Sequence, residues 1–367
     1  MSTRLQFELV NSLEDGALRA ILRSVSMPGK ISLSFQRESS FFKAEQAGNF
    51  SSQIVAVRDN ETGKILGMGS RSFRKAYIDG RLQTLGYLSN LRGLPEVRGG
   101  TALPRAYRFV KELHKDGQTP FYITTIFDGN TYAQQILTSG RAGLPVYKPY
   151  GKLHTLLIPL YRRIKIQTYS NLDDVWVKPA NSETEVAKAV DWMNQQRSQR
   201  QFGHSYSAED FLNSNLLPDF SFRNLLVARL GSSIVGTLGI WNQTGFKQSV
   251  VTGYCWQYRI LQKLFPSILP AVGKPMPYVY GSFLNTTSIR ALPALLTHAL
   301  NEWSNKGYSY LLLGLHERDT ESLAFASQYA AIDLTSTLYV VYWPDLLPSG
   351  TVLPSEELIP QIEIATL

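Results

Sequence analysis

The sequence predicts an α/β fold built twice, as two α+β units in tandem. Each unit is a mixed, mostly antiparallel twisted sheet with helices on both faces. Three observations carry this. Apolar residues switch repeatedly between the alternating period of strands and the 3.6-residue period of helices. A glycine-rich, basic turn, Gly93-Leu-Pro-Glu-Val-Arg-Gly-Gly-Thr-Ala-Leu103, joins a strand pattern to a helical one. The succession of elements around that turn recurs in the second half of the chain, which indicates duplication of one unit. The units are expected to cover residues 1–166 and 167–367 of the 367 residues, with the boundary near Gln167–Pro179.

Taken in order, residues 1–48 are expected to be helices and loops. Leu13, Ala17, Leu18, Ile21, Leu22 and Val25 share a helical spacing, and a short second helix covers 39–47. Residues 53–58, 65–73 and 82–92 then alternate as strands. They are separated by the turn Asp59–Lys64 and by Asp79-Gly80, a strong hairpin signal, and so form an antiparallel meander. After the glycine turn, Ala102, Ala106, Phe109, Val110 and Leu113 repeat on one helical face, and Pro104 lies early enough to be tolerated. Residues 120–127 read as a buried strand. The helix before it lets it lie parallel to the last meander strand. A short helix over 130–138 and a strand over 154–161 follow. The second half repeats the order, with helices at 186–196 and 208–212, a hairpin over 224–241, and a strand at 277–283. A helix at 289–303, a strand at 308–315, a short helix at 322–329 and a strand at 338–343 complete it. The aromatic run Tyr254–Tyr258 is strand-like, and Cys255 within it reads as a core residue.

Composition narrows the function. A single cysteine excludes an intramolecular disulfide and fits a reducing compartment. The first residues lack a long apolar run, so a cytoplasmic protein is expected. No stretch approaches the roughly 18 uninterrupted apolar residues of a membrane span, and no membrane partner is expected. The net charge is +8, but Lys and Arg are scattered. The densest cluster, Tyr161–Ile166, alternates like a strand with one solvated face, which points away from nucleic acid. His114, His154, His204, His298 and His316 show no metal-ligand spacing, so no metal is expected; His316–Asp319, after a buried strand, reads first as a solvated loop and second as residues lining a site.

A glycine-rich turn that opens a helix presents backbone N–H groups and the positive end of the helix dipole, which suits a phosphate. The plain alternative is an ordinary tight loop.

Together with the element order, the turn resembles that of the GNAT (GCN5-related N-acetyltransferase) superfamily of acyl-coenzyme A transferases. The family's strand-to-turn pattern runs L-x-V-x-P-x-x-R-G-x-G-x-G/A. Leu91, Pro95, Arg98 and Gly99 fall on matching positions. Gly93 replaces the valine, Thr101 and Leu103 stand at the later glycines, and Gly100 offers close approach one residue early. The family's N-x-x-A-x-x-L-Y motif is matched at Asn130, Ala133 and Ile136, with Leu137 at the tyrosine.

The resemblance implies acetyl-CoA or another acyl-CoA as co-substrate. Its pyrophosphate would sit on Arg98, Gly99, Gly100, Thr101, Ala102 and Leu103, and its pantetheine arm would run along Leu91, Arg92 and Gly93. Asn130 would bond near the thioester, cap the short helix, or do both. The reaction would be direct attack by an amine of a small-molecule or peptide acceptor. That requires a base or water relay, an N–H that polarises the carbonyl, and an acid for the thiolate. With Leu137 at the family's acid position, Tyr132, Tyr147 and Tyr150 are substitutes, each better explained as a packing aromatic in a chain with 19 tyrosines. Tyr87, Ser89 and Glu96 are candidates for the base. So is the carboxylate at Leu367, because in some tandem members of the fold a C-terminal carboxylate enters the site. Residues 284–292 lack glycine, so only the N-terminal copy is expected to bind coenzyme A, with the second copy walling the acceptor site. Two other readings stand beside this one: a non-catalytic acyl-CoA sensor or scaffold, and an aminoacyl-tRNA-dependent transferase of the Fem type. The Arg98-Gly99-Gly100 turn argues against the latter.

Overall fold

The computed structural model describes residues 4–27, 29–98, 100–141, 143–160, 175–213, 215–266 and 268–367. The cluster expected as a strand face at 161–166, most of the expected boundary region and Gly99 lie outside the described residues.

In the first half, β1 (Leu5–Val10), α1 (Asp15–Ser24), β2 (Ile31–Gln36) and α2 (Phe41–Gln46) precede the meander. The meander itself is β3 (Ser51–Asp59), β4 (Ile65–Ile78) and β5 (Arg81–Gly93). Then come α3 (Ala102–His114), β6 (Tyr122–Phe127), α4 (Thr131–Leu137) and β7 (Val146–Pro159). The second half runs β8 (Val175–Pro179), α5 (Glu183–Arg197), α6 (Ala208–Leu212), β9 (Leu225–Leu230), β10 (Ser233–Trp241) and β11 (Gln248–Tyr254). It closes with α7 (Trp256–Leu264), β12 (Tyr278–Thr286), α8 (Ala291–Trp303), β13 (Tyr310–His316), α9 (Thr320–Ser327) and β14 (Ile332–Tyr342).

Twelve strands form one sheet in the order β1-β3-β4-β5-β6-β14-β7-β13-β12-β10-β9-β8, and β11 pairs with β2 in a separate two-stranded sheet. Among the described residues β5–β6 and β12–β13 are parallel and the remaining pairs antiparallel. The centre of the sheet is an exchange. β14, the last strand of the second half, inserts between β6 and β7. β7, the last strand of the first half, pairs with β13.

Three features depart from the sequence expectation. The first 48 residues contain two strands as well as helices. β1 lies at a sheet edge with partly exposed residues on both faces, so it lacks the strict alternation that marks a strand. The run Tyr254–Tyr258 turns into helix α7 at Trp256, and Cys255 is its half-buried N-cap residue rather than a core residue. His316 is 2% exposed at the end of β13, not in a solvated loop. Its Nε2 lies 3.1 Å from the Tyr150 carbonyl, and its Nδ1 lies 3.2 Å from the Arg318 N–H.

Candidate functional site

β5 and β6 pair only at Gly86–Tyr122 and Tyr87–Ile123. Beyond Tyr87 the two strands part. Gly86 lets Tyr122 pack directly on the strand, because a side chain there would overlap its ring. On the other side β5 bulges: Ser70 pairs with Ser89 and Met68 with Arg92, which leaves an extra residue in β5. Asn90 takes a positive φ of 51° at that point. A bulge adds local twist and re-aims the residues after it, here Leu91, Arg92 and Gly93. The opened edge of β5 therefore leads directly into the turn and α3.

Pro95–Val97 form one turn of 3₁₀ helix, and α3 then begins at Ala102. The side chain of Thr101, its N-cap residue, accepts no backbone N–H, so the first N–H groups of the helix have no side-chain cap there. The Arg98 guanidinium folds back on the turn, its Nε donating to the Gly93 carbonyl at 3.0 Å. Gly100 is exposed, and a Cβ there would meet no atom within 4 Å. Ala102 is buried, and Leu103 packs beneath α3 against the cluster that includes Tyr107 and Tyr122. The fold thus gathers Leu91, Arg92, Gly93, Arg98, Gly100, Thr101, Ala102 and Leu103 along one rim.

Because β5 and β6 are parallel, α3 and α4 start from the same end of the sheet. Asn130 caps α4, its Oδ1 accepting the Ala133 N–H at 3.2 Å. Leu137 is buried in the core. Tyr132 is 56% exposed on α4. Tyr147 is buried and bonded to the Tyr107 hydroxyl, and Tyr150 bonds to the Ser355 carbonyl, so both serve packing. Glu96 is exposed near Lys64.

The face of β5 that carries Tyr87 and Ser89 borders a small cavity of about 20 Å³, the size of one water molecule. Arg37, Glu45, Asn90, Lys247 and Leu367 also line it. Tyr87 and Leu367, proposed from the sequence on separate grounds, thus meet at one place. Two residues that the sequence did not single out meet them there. Glu45 on α2 is 6% exposed. One carboxylate oxygen accepts from the Asn90 amide at 2.6 Å and the other has no hydrogen-bond partner. Burial raises the Glu45 carboxyl above the usual carboxylate range, against the opposing pull of Arg37. Lys247 donates to the main-chain oxygens of Ala365 at 3.1 Å and Leu367 at 2.7 Å, and burial holds its ammonium well below the ordinary lysine value. Burial also raises the Tyr87 phenol, so it stays protonated. The Arg74 guanidinium stacks on the Tyr87 ring at 4.4 Å and bonds Thr366. A six-residue helix is too short for periodicity to flag a buried Glu45, and Lys247 reaches the cavity from the other half.

The second half repeats the opening. β12 and β13 pair from Tyr278–Tyr310 to Gly281–Leu313 and then part, and Phe283 takes a positive φ of 57° at a bulge in β12. Here residues 361–364 bond across the gap, which still borders a cavity of about 150 Å³ lined by Leu284, Asn285, Gly314, His316, Gln361 and Glu363. Glu363 accepts the Phe283 N–H at 2.8 Å, Gln361 donates to the Leu284 carbonyl at 2.6 Å, and Ile364 occupies the space that a side chain at Gly314 would need.

No protein-family model matches the sequence, and no curated protein matches it. Solved structures do. A GCN5-related N-acetyltransferase from Sphaerobacter thermophilus matches with a TM-score of 0.59 at 10% identity, over 97% of this chain and all of that one. Saccharomyces cerevisiae N-myristoyltransferase with bound myristoyl-CoA matches with a TM-score of 0.59 at 11% identity, over 93% of this chain and 79% of that one. The fold is that of the GNAT superfamily. The GCN5-related glucosamine N-acetyltransferase region of a fungal multi-domain GH3 β-N-acetylglucosaminidase matches with a TM-score of 0.63 at 11% identity, over 93% of this chain. The chain spans 38% of that fungal protein.

Proposed function

We propose that this GNAT-fold chain is an acyl-CoA-dependent N-acyltransferase. An acceptor amine attacks the thioester carbonyl directly, an amide bond forms, the carbon–sulfur bond breaks, and coenzyme A leaves as the thiol. The observation that carries this reading is the parted β5–β6 edge, which runs through the Asn90 bulge into the uncapped N-terminus of α3. A free strand edge suits the amides of a pantetheine arm. The helix end, with Arg98 and Gly100 before it, suits a pyrophosphate. The structural neighbours, among them a GCN5-related N-acetyltransferase and a myristoyl-CoA-bound transferase, support the same class.

Within the site, Glu45 is the proposed base. Its raised proton affinity brings it closer to the value useful near neutral pH, and its unpartnered oxygen is free to take the proton of the attacking amine. Tyr87, held protonated, is the donor to the departing thiolate. Leu367 lines the same cavity, its main-chain oxygen accepting from Lys247 at 2.7 Å, and is the second candidate for the base. Tyr132 stands exposed on α4 and is the weaker candidate for the acid. The acyl chain, acetyl or longer, and the acceptor amine are open to assay. The lack of glycine over 284–292 and the bonds of Gln361 and Glu363 to β12 support a one-site enzyme in which the second half walls the acceptor.

The test is thiol release. Purified protein is incubated with acetyl-CoA and with a long-chain acyl-CoA across a panel of amines. Acceptor-dependent release of coenzyme A supports the reading. Tight acyl-CoA binding without turnover on any amine favours a sensor, and no acyl-CoA binding defeats the reading.

A further inference from the structure

Helix α7 differs from every other described α-helix in burying none of its residues. Its exposed side is nevertheless apolar. Trp256, Ile260 and Leu264 follow one another at four-residue spacing, so they form a single stripe along the helix, and they are 70%, 54% and 65% exposed. Phe265 and Val272 extend the apolar surface just beyond the helix. Contiguous exposed apolar surface of this kind marks a contact site.

The charge around it has one sign. Arg259 and Lys263 flank the stripe, with Lys274 in the following loop, and all three are exposed. None of them forms an ion pair among the described residues. Between Asp219 and Glu302 the sequence has no Asp or Glu at all. Lys30 adds a further exposed cation beside the start of the helix, its carbonyl accepting the Cys255 N–H at 3.0 Å.

We propose that α7 docks the protein on an anionic lipid surface. The helix would lie flat, with Trp256, Ile260 and Leu264 in the headgroup–acyl boundary and Arg259, Lys263 and Lys274 paired with lipid phosphates. A second copy of the chain is a poor occupant, because a two-fold contact through α7 would set Arg259 and Lys263 against their own equivalents. No described helix is long and apolar enough to cross a membrane, so the contact is with one face of the bilayer. The expectation of no membrane partner rested on the absence of spans, and an interfacial helix needs none.

The experiment is vesicle co-sedimentation of the full chain, with phosphatidylcholine vesicles compared with phosphatidylcholine–phosphatidylglycerol vesicles. Binding is expected to be at least about tenfold stronger on the anionic vesicles and to fall with added salt. Trp256→Ser with Leu264→Ser is expected to abolish it, and Arg259→Gln with Lys263→Gln to remove the preference for anionic lipid. All four positions face solvent, so the melting temperature should not change. Absence of wild-type binding to anionic vesicles overturns the proposal, as does binding that survives both double variants. A lipid-independent dimer abolished by the Trp256→Ser, Leu264→Ser pair, without vesicle binding, also overturns it and assigns the face to self-association.

Discussion

Asn90 and Phe283 are counterparts. Each takes a positive φ, 51° and 57°, at the bulge of the strand that then parts from its parallel neighbour. They differ in what lies beyond. At Asn90 the strand edge runs on to a glycine turn, whereas at Phe283 the backbone N–H is already bonded to Glu363. Two halves with one geometry therefore differ in their contacts: residues 361–364 bond to the second parted edge, whereas at the first Ala365–Leu367 only line the cavity beside it.

The open cleft can be blocked without disturbing the fold. Because a side chain at Gly100 meets nothing in the protein, Gly100→Val should leave the melting temperature of the free protein unchanged. In the same assay the thermal stabilisation given by coenzyme A should fall by more than about half, since branched side chains deny the backbone a close approach to phosphate. Unaltered stabilisation would place the ligand elsewhere.

Glu45→Gln removes the proposed base while keeping the Asn90 contact sterically possible. Turnover should drop about 100-fold or more with acyl-CoA affinity little changed, the usual size of a general-base effect. Tyr87→Phe should slow turnover less, since a thiolate leaves readily. If Glu45→Gln retains full activity and removal of Leu367 alone abolishes it at an unchanged melting temperature, the base lies at Leu367 rather than Glu45.

The contact of Ile364 with Gly314 predicts a stability effect. Gly314→Val would push into Ile364 and dislodge the last residues from β12 and β13. Overpacking of this kind costs about 2 kcal/mol or more. Urea denaturation should register the loss as a lower midpoint. A midpoint equal to wild type would mean that the tail packs too loosely to matter.

His316 makes stability depend on acid. Its Nε2 faces a carbonyl and its Nδ1 accepts an N–H, an arrangement only the neutral ring satisfies. Burial lowers its pKa to about 4. The unfolded chain, with an ordinary histidine near 6.5, binds the proton first, so stability is intact above that value and declines as pH falls from about 6.5 towards 4. His204, buried beside Arg74 and Arg197 and also lowered, acts in the same direction. Comparing urea midpoints near pH 7 and near pH 4.5 should reveal a decline that His316→Gln partly removes.

Neither half should fold alone. Residues 1–160 without β14 leave β6 and β7 with unpaired edges, the condition for aggregation. Expressed separately they should be insoluble, and co-expressed with residues 175–367 they should form a soluble pair. A cooperatively melting monomer of 1–160 would refute this.

Much of this architecture was legible in the residues. The meander, the parallel crossover, the rim from Leu91 to Leu103 and the cap at Asn130 all rest on local signals: alternation, Asp79-Gly80, a glycine turn, a polar residue before a helix. The aromatic alternation of Tyr254, Trp256 and Tyr258 misled, because a helix whose apolar face is exposed looks the same over five residues as a buried strand. Glu45 and Lys247 were not legible as a pair. They lie some two hundred positions apart and are joined only by packing across the two halves. The exchange of β7 and β14 left no local trace either, since the side-chain pattern of a strand does not name its partner.

That exchange has a consequence for how such a chain changes over time. A fused pair of similar units ordinarily tolerates the erosion or loss of one member. Here each unit is closed by a strand encoded in the other, so a deletion that removed the second half would also take β14 from the centre of the sheet. The second half is free to lose its own glycine turn, and has none over 284–292, yet the chain cannot shed it.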